Sequence, residues 1–384
     1  MYGAYITTYL NKDLLSRIIN ENTACVNLFV DVRSVAPAFF KEQQLKLVIN
    51  DETNIDLYVR KTLLNFLKFV DFHIQLIAFE LQRTPRIFFF SDIGQSEYHK
   101  QIDKSYKENR GSPIILTEEE YIRSKQLVNG LLEAFGNLIS FIPGIFYLHL
   151  HYMESDFLPY YILKNFSFSK NEVFIIVSRD KDLAQCLALY PETSYQFFLD
   201  HKGQKTLLDA KSVVSYHFKV NTDKMYPPQL IALGLAIAGD NADNIIGIKQ
   251  IGYKRFLSII DHVESQNNIQ WSLDNMQNLE YLLSSDVKKP TIKNLIEKIR
   301  QNRDLIEKNL KLVDFNIISS NLASSVVHQI HQSLKYNKIL NENLIKQYVK
   351  QIKEVTDQSV YPYFIVQYLK FLAEKFKKGG SIEE

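Results

Sequence analysis

The chain has 384 residues, 46% of them hydrophobic, which allows two domains or one large one. Its formal net charge of +2 is ordinary, and two cysteines are too few for a disulfide scaffold. No run of about eighteen apolar residues occurs, so no membrane span is expected. The start, Met1-Tyr2-Gly3-Ala4-Tyr5, lacks a basic segment followed by an apolar core, so secretion is not expected either.

In chain order, the residues through Asn22 read as an amphipathic helical extension. Val26-Asn27-Leu28-Phe29-Val30 then reads as a buried strand ending at Asp31. Arg86 to Ser91 is a second, ending at Asp92. Gly144 to His151 is a third, followed by Glu154 and Asp156. Val173 to Ser178 is a fourth, followed by Asp180 and Asp182. Helical spacing of apolar residues is clearest from Leu63 to Leu81 and from Thr117 to Ala134. A hairpin is expected from Tyr195 to Leu199, returning through Lys205 to Leu208 with its turn at Gly203. From Pro228 onward the chain reads as helical, and the tail Lys375 to Gly380 as a frayed end. Cys25 and Cys186 lie in apolar surroundings and read as buried thiols of a reducing cytosol, not zinc ligands.

Short apolar strands alternating with helices imply an α/β fold with a parallel sheet flanked by helices. Ligands of such sheets bind beyond the carboxyl ends of the strands. All four strands deliver acids at that edge. One such acid is an ordinary helix cap; four in succession crowd like charges that only cations make tolerable. Magnesium or manganese suits an all-oxygen site. With eight acids gathered there, 35 remain against 45 bases, which leaves +10 for the rest of the protein. That suits a polyanion that must reach metals.

Asp240 and Asp243 stand about one helical turn apart and run into Gly247-Ile248-Lys249-Gln250-Ile251-Gly252-Tyr253-Lys254. A glycine turn opening a helix points backbone N–H groups at an anion. By itself the stretch also admits a second, less favoured reading as a solvated acidic turn between helices. Joined to the strand-end acids, it places metal ligands beside a phosphate grip.

At these residues the chain resembles the 5′-nuclease (flap endonuclease) superfamily, notably stand-alone phage enzymes and the 5′-nuclease domain of bacterial DNA polymerase I. The resemblance runs in order from Val26 to Asn316. It rests on Val30-Asp31 with Ala38-Phe39-Phe40, on Asp92 with Ser96, Tyr98 and Tyr106-Lys107-Glu108-Asn109-Arg110, and on Pro143-Gly144 leading to Glu154-Ser155-Asp156. Ser178-Arg179-Asp180-Lys181-Asp182, Gly239 to Gly252, and Lys308 to Asp314 complete it. The departures are Val32 for a glycine, Ala38 and His99 for arginines, Phe157 for a fourth acid and Gln250 for the middle glycine of the turn.

The resemblance implies a PIN-like sheet with a C-terminal helix–three-turn–helix DNA-binding region. It divides the chain into 1–24 as an N-terminal extension, 25–225 as the nuclease core with a helical arch, 226–320 as DNA-binding helices, and 321–384 as C-terminal helices and tail. It places Asp31, Asp92, Glu154 and Asp156 around one Mg2+ or Mn2+ and Asp180, Asp182 and Asp243 around a second, with Asp240 nearby. Lys107 and Arg110 would grip the scissile phosphate, the second of them bidentately. Gly111 to Asn137 would form part of the arch, in which Glu118-Glu119-Glu120 reads as a helix start. Gly247, Ile248, Lys249, Gln250, Ile251, Gly252 and Lys254 would hold duplex backbone, their carbonyls binding K+, and Tyr98 and His99 would also touch DNA. Tyr98 and Phe40 are candidates to stack on a base. His149 and His151 share a strand face but lack a third zinc ligand, and read as structural.

The implied protein is a monomeric, cytoplasmic 5′-3′ exonuclease or flap endonuclease, in the host cytoplasm if the source is viral. Its partners would be 5′-flap or branched DNA, an RNA–DNA hybrid, and replication proteins. Two other readings stay open: a protein of this fold that binds branched DNA without cutting it, and a phosphatase or sugar-phosphate enzyme on a similar sheet.

Overall fold

The computed structural model describes residues 10, 12–35, 45–46, 48–92, 96–108, 116–150, 153–199, 205–266, 269–334, 342–356 and 362–377. Ala38, Phe40, Arg110, His151 and Gly203 therefore lie outside the described residues.

A six-stranded sheet of order β3-β2-β1-β4-β5-β6 forms the centre, with β1 at Cys25–Asp31, β2 at Thr84–Asp92, β3 at Ile145–Leu150, β4 at Glu172–Ser178, β5 at Ser194–Leu199 and β6 at Lys205–Asp209. The expected strands are all present. Every pairing is parallel except β5 with β6, so the sheet is mixed, with an antiparallel edge made by the expected hairpin.

In the first half lie α1 (Lys12–Leu15), α2 (Val32–Val35), α3 (Glu52–Ile74), α4 (Glu97–Ile102), α5 (Glu118–Ile139) and α6 (Leu158–Asn165). A π-helical stretch, Gln75–Glu80, continues α3, and a 3-10 helix occupies Asp182–Ala188. Then follow α7 (Val213–His217), α8 (Leu230–Ala238), α9 (Tyr253–Gln266), α10 (Asn275–Ser284), α11 (Pro290–Gln301) and α12 (Arg303–Val313). The last are α13 (Phe315–Ser320), α14 (Ser324–Leu334), α15 (Glu342–Thr356) and α16 (Tyr363–Lys377).

The central strands are buried on both faces, as apolar runs in parallel sheets require. One face sends Phe29, Phe88, Phe90, Phe174 and Ile176 into a core shared with α6, the 3-10 helix and α8. The other sends Val26, Leu28, Val30, Ile87, Phe89 and Ile175 toward α3 and α5.

Several expectations are corrected. Among the described residues before β1 only α1 is helical, and turns follow it. Helix α3 begins well before Leu63: Asp51 accepts the N–H groups of Thr53 and Asn54 as its cap, and its early turns are exposed or half-buried, full burial starting only at Thr62 and Leu63. Helix α5 starts at the acidic run as expected, with a reciprocal cap between Thr117 and Glu120. Its later turns bury Val128, Leu131, Leu132 and Phe135 in the core, so the second half of the described part of the expected arch is packed against the sheet domain. Helix α16 keeps its backbone regular through Lys377, inside the stretch expected to fray. Thr53–Glu80 is long and apolar enough to cross a membrane, yet it packs between the sheet and helices α15 and α16. Both cysteines are buried and free.

Candidate active site

The register of β1 with β2 and β4 brings the carboxyl ends of these strands level, and the acids collect there. Asp31 is clamped by its own turn. Its Oδ1 accepts the N–H groups of Arg33 (3.0 Å) and Ser34 (3.3 Å), and its Oδ2 accepts the hydroxyls of Ser34 and Ser178. Asp92 accepts the N–H of Ser155 at 2.5 Å, and the Ser155 hydroxyl donates to the Ser91 carbonyl at 2.8 Å. These two bonds hold the loop carrying Glu154 and Asp156 against the end of β2. Asp180 accepts the N–H of Asp182 at 2.9 Å, where the 3-10 helix begins.

Asp240 follows Gly239, whose φ of +81° closes α8, and its backbone exchanges two hydrogen bonds with Ile245 (2.9 and 2.8 Å). This small loop returns Asp243 to the sheet edge. Carboxylate oxygens of Asp182, Asp240 and Asp243 lie within 4.8 Å of one another. A cleft lined by Lys107, Glu154, Asp156, Asp180, Asp182 and Asp243 joins the two expected groups of acids.

Crowding and burial show in the acidities. Burial, reinforced by Glu154, pushes Asp92 up to about 6. Burial and neighbouring carboxylates hold Asp156 and Asp182 far above the usual range, and burial raises Asp31 against the hydrogen bonds of Ser34 and Ser178. Glu154 moves the other way: burial opposes its charge, but Lys107 at 2.6 Å, with His99, overcomes it. Asp182 Oδ1 is buried and has no hydrogen-bond partner. An orphaned carboxylate oxygen beside two more carboxylates is a donor set that fits a hard divalent cation.

The other expected site residues divide. Lys107 is not free to meet solvent: its ammonium pairs with Glu154 and stands 3.9 Å from Asp243, and its N–H bonds the Asp243 carbonyl at 3.0 Å. Arg110 lies outside the described residues. His99 is a correction. It is 2% exposed, bonds the Leu312 carbonyl through Nε2 at 3.1 Å and stacks on Tyr106, so its ring is packed into the wall of the cleft rather than standing on the surface. Tyr98 is half-buried, and its hydroxyl donates to the Lys311 carbonyl at 3.2 Å. In the turn, Ile248 and Ile251 are buried anchors, whereas Lys249, Gln250, Gly252 and Lys254 are exposed. Gln250 has φ +71°, a conformation that favours glycine, and its side-chain oxygen accepts from Lys298.

Sequence reasoning missed Ser34 and gave no individual role to Ser178, Tyr106 and Lys181, which it quoted only as parts of motifs. The two serines had a local signal, a hydroxyl at cap spacing from an aspartate. Tyr106 donates to Glu154 at 3.0 Å, and Lys181 pairs with Asp240 at 2.9 Å. Both meet partners remote in sequence, so no local pattern reports these contacts.

No family model matches the chain. A 5′-3′ exonuclease of Buchnera aphidicola subsp. Schizaphis graminum is 26% identical over 211 residues, 54% of this chain and 63% of the relative. The chain thus spans less than two thirds of that relative's length. The structure of T5 5′-exonuclease with bound zinc superposes with a TM-score of 0.50 at 17% identity, over 86% of this chain and 99% of that one. A T5 protein co-crystallised with metal ions gives the same TM-score, identity and coverage. The chain has the fold of the 5′-nuclease superfamily. Against the superfamily pattern, Val32 and Phe157 are departures with a plain cause: both are buried, so each fills apolar space behind the acids.

Proposed function

We propose that the chain is a metal-dependent, structure-selective 5′ nuclease that hydrolyses phosphodiesters in 5′-flap or branched DNA. One observation carries the reading: acids that follow two strand ends, Glu154 and Asp156 after β3 and Asp180 and Asp182 after β4, share a cleft with Asp243, and the same chain segment leads directly into an exposed glycine turn. The 5′-3′ exonuclease relative and the metal-bearing T5 structures support it.

Asp31, Asp92, Glu154 and Asp156 would hold one Mg2+ or Mn2+, and Asp180, Asp182 and Asp243 a second. When bound, such ions neutralise phosphate charge and activate the attacking water. The chain's own groups do the rest. Asp31 and Asp92 are held rigid by the serine and backbone bonds described above. Lys107, poised between Glu154 and Asp243, turns its ammonium to the scissile phosphate. Lys249 and Lys254 hold duplex phosphates without reading sequence, and the carbonyls of their turn offer a seat for K+. The products carry a 5′-phosphate and a 3′-hydroxyl, and an RNA primer on DNA is an equally suitable strand.

The test is cleavage of an end-labelled 5′-flap duplex in Mg2+. Cutting near the junction, abolished by chelator and reduced about 100-fold or more in Asp180→Asn, is the expected result. Tight flap binding without cutting in Mg2+ or Mn2+ would leave a DNA-structure-binding protein instead.

A further inference from the structure

Asp180 is held by its backbone as well as by its carboxylate. Its N–H donates to the Ser178 hydroxyl at 3.0 Å, and its carbonyl accepts from the Gln196 side-chain amide, Nε2, at 2.7 Å. The peptide groups on both sides of the residue are therefore fixed, which sets the direction in which its side chain leaves the chain.

Gln196 lies in β5 opposite Ile176 of β4 and is fully buried. A buried amide costs stability unless both of its ends are bonded. The Nε2 end meets Asp180, so the Oε1 end must accept. His217, the last residue of α7, supplies the donor, with Nε2 2.7 Å from Gln196 Oε1. That bond fixes a proton on Nε2 of the ring. The ring also meets Phe198 edge-on at 5.0 Å, and Phe198 stands two residues from Gln196 on the same face of β5. The next residue, Phe218, stacks on Tyr253 at the start of α9 with centroids 4.3 Å apart, so the end of α7 is itself seated. A continuous line of bonds thus runs from α7 through β5 to the strand edge that carries the acids. Neither Gln196 nor His217 lines the cleft, and the chemistry described above uses neither. A leucine at position 196 would fill similar space without making either bond.

We propose that His217 and Gln196 are positioning residues for the metal edge: His217 orients the Gln196 amide, and Gln196 holds the Asp180 backbone so that its carboxylate stays on the cleft. The inference rests on the nuclease reading and extends it to a pair of residues set back from the reacting groups.

Mn2+ affinity by electron paramagnetic resonance, duplex binding in chelator, and kcat against KM on a 5′-flap duplex test it in the full chain. Gln196→Leu should lower Mn2+ affinity and kcat about 10-fold, with KM and blunt-duplex binding in chelator within about two-fold of the parent. His217→Phe keeps a ring beside Phe198 but has no donor, and should show the same pattern at roughly five-fold. His217→Gln, which offers a donor again, should recover most of that loss. Parent-like Mn2+ affinity and kcat in Gln196→Leu would overturn the proposal. A loss of duplex binding as large as the loss of Mn2+ affinity would overturn it too, since that marks general damage to the fold. Should Gln196→Leu fail to fold, the two His217 variants decide, and equal Mn2+ affinities in them would refute the link. A parent chain that neither binds Mn2+ nor cuts the flap would instead overturn the nuclease reading beneath it.

Discussion

His73 is buried in α3, its Nδ1 2.8 Å from the Phe69 carbonyl and its Nε2 accepting the N–H of Leu10 at 3.4 Å. Those partners require a neutral ring with its proton on Nδ1. Burial lowers its pKa to about 4. The folded value is thus below the unfolded one, so its contribution is full above about 6.5 and is lost as pH falls toward 4. The chain should lose about 2 kcal/mol through this residue between pH 7 and pH 5. Urea unfolding at both values, for the parent and for His73→Asn, measures it; an equal pH slope in the two would refute the assignment. The same comparison of burial with sequence explains what was legible. Asp31, Asp92, Asp180 and Asp182 announced themselves because each ends or follows an apolar run. His99 did not announce its role, since its burial depends on Leu312 and Tyr106, and no local pattern reports contacts across that distance.

At the scale of elements, the turn from Gly239 to Gly252 asks different things of its glycines. A Cβ at Gly247 would stand 2.1 Å from the Ala238 carbonyl oxygen, a backbone atom that cannot swing away, whereas a Cβ at Gly252 would meet nothing within 4 Å. Gly247→Ala should therefore destabilise the fold by about 2 kcal/mol or more. Gly252→Ala should leave stability within about 0.5 kcal/mol yet weaken duplex binding, because it adds bulk where the proposed function brings phosphate to α9. Thermal melts and duplex titrations separate these, and intact binding in Gly252→Ala would show that the turn does not grip DNA. The glycine spacing made the turn readable in the sequence. Which glycine serves packing and which serves the surface was not, because that depends on how closely α8 returns to the loop.

For the whole molecule, the C-terminal helices α15 and α16 complete the core behind α3, and Ile345, Tyr348, Ile352, Ile365 and Val366 are buried there. Sequence periodicity showed them as helices but not what they cover, since the matching face on α3 lies far away in the chain. The Tyr348 side chain is 1% exposed and its hydroxyl has no partner. Removing an unsatisfied buried hydroxyl is favourable, so Tyr348→Phe should raise stability by about 1 kcal/mol, measured by chemical denaturation. A fall in stability would mean that the hydroxyl is bonded in solution. The sheet order has a further consequence for biosynthesis. Strand β1 emerges first but pairs with β2 and β4, and Asp243 closes the cleft only after all six strands exist. A nascent chain on the ribosome therefore carries its early acids without a cleft to gather them. On the proposed nuclease reading, cutting of nucleic acid begins only once translation has passed α8 and the turn beyond it.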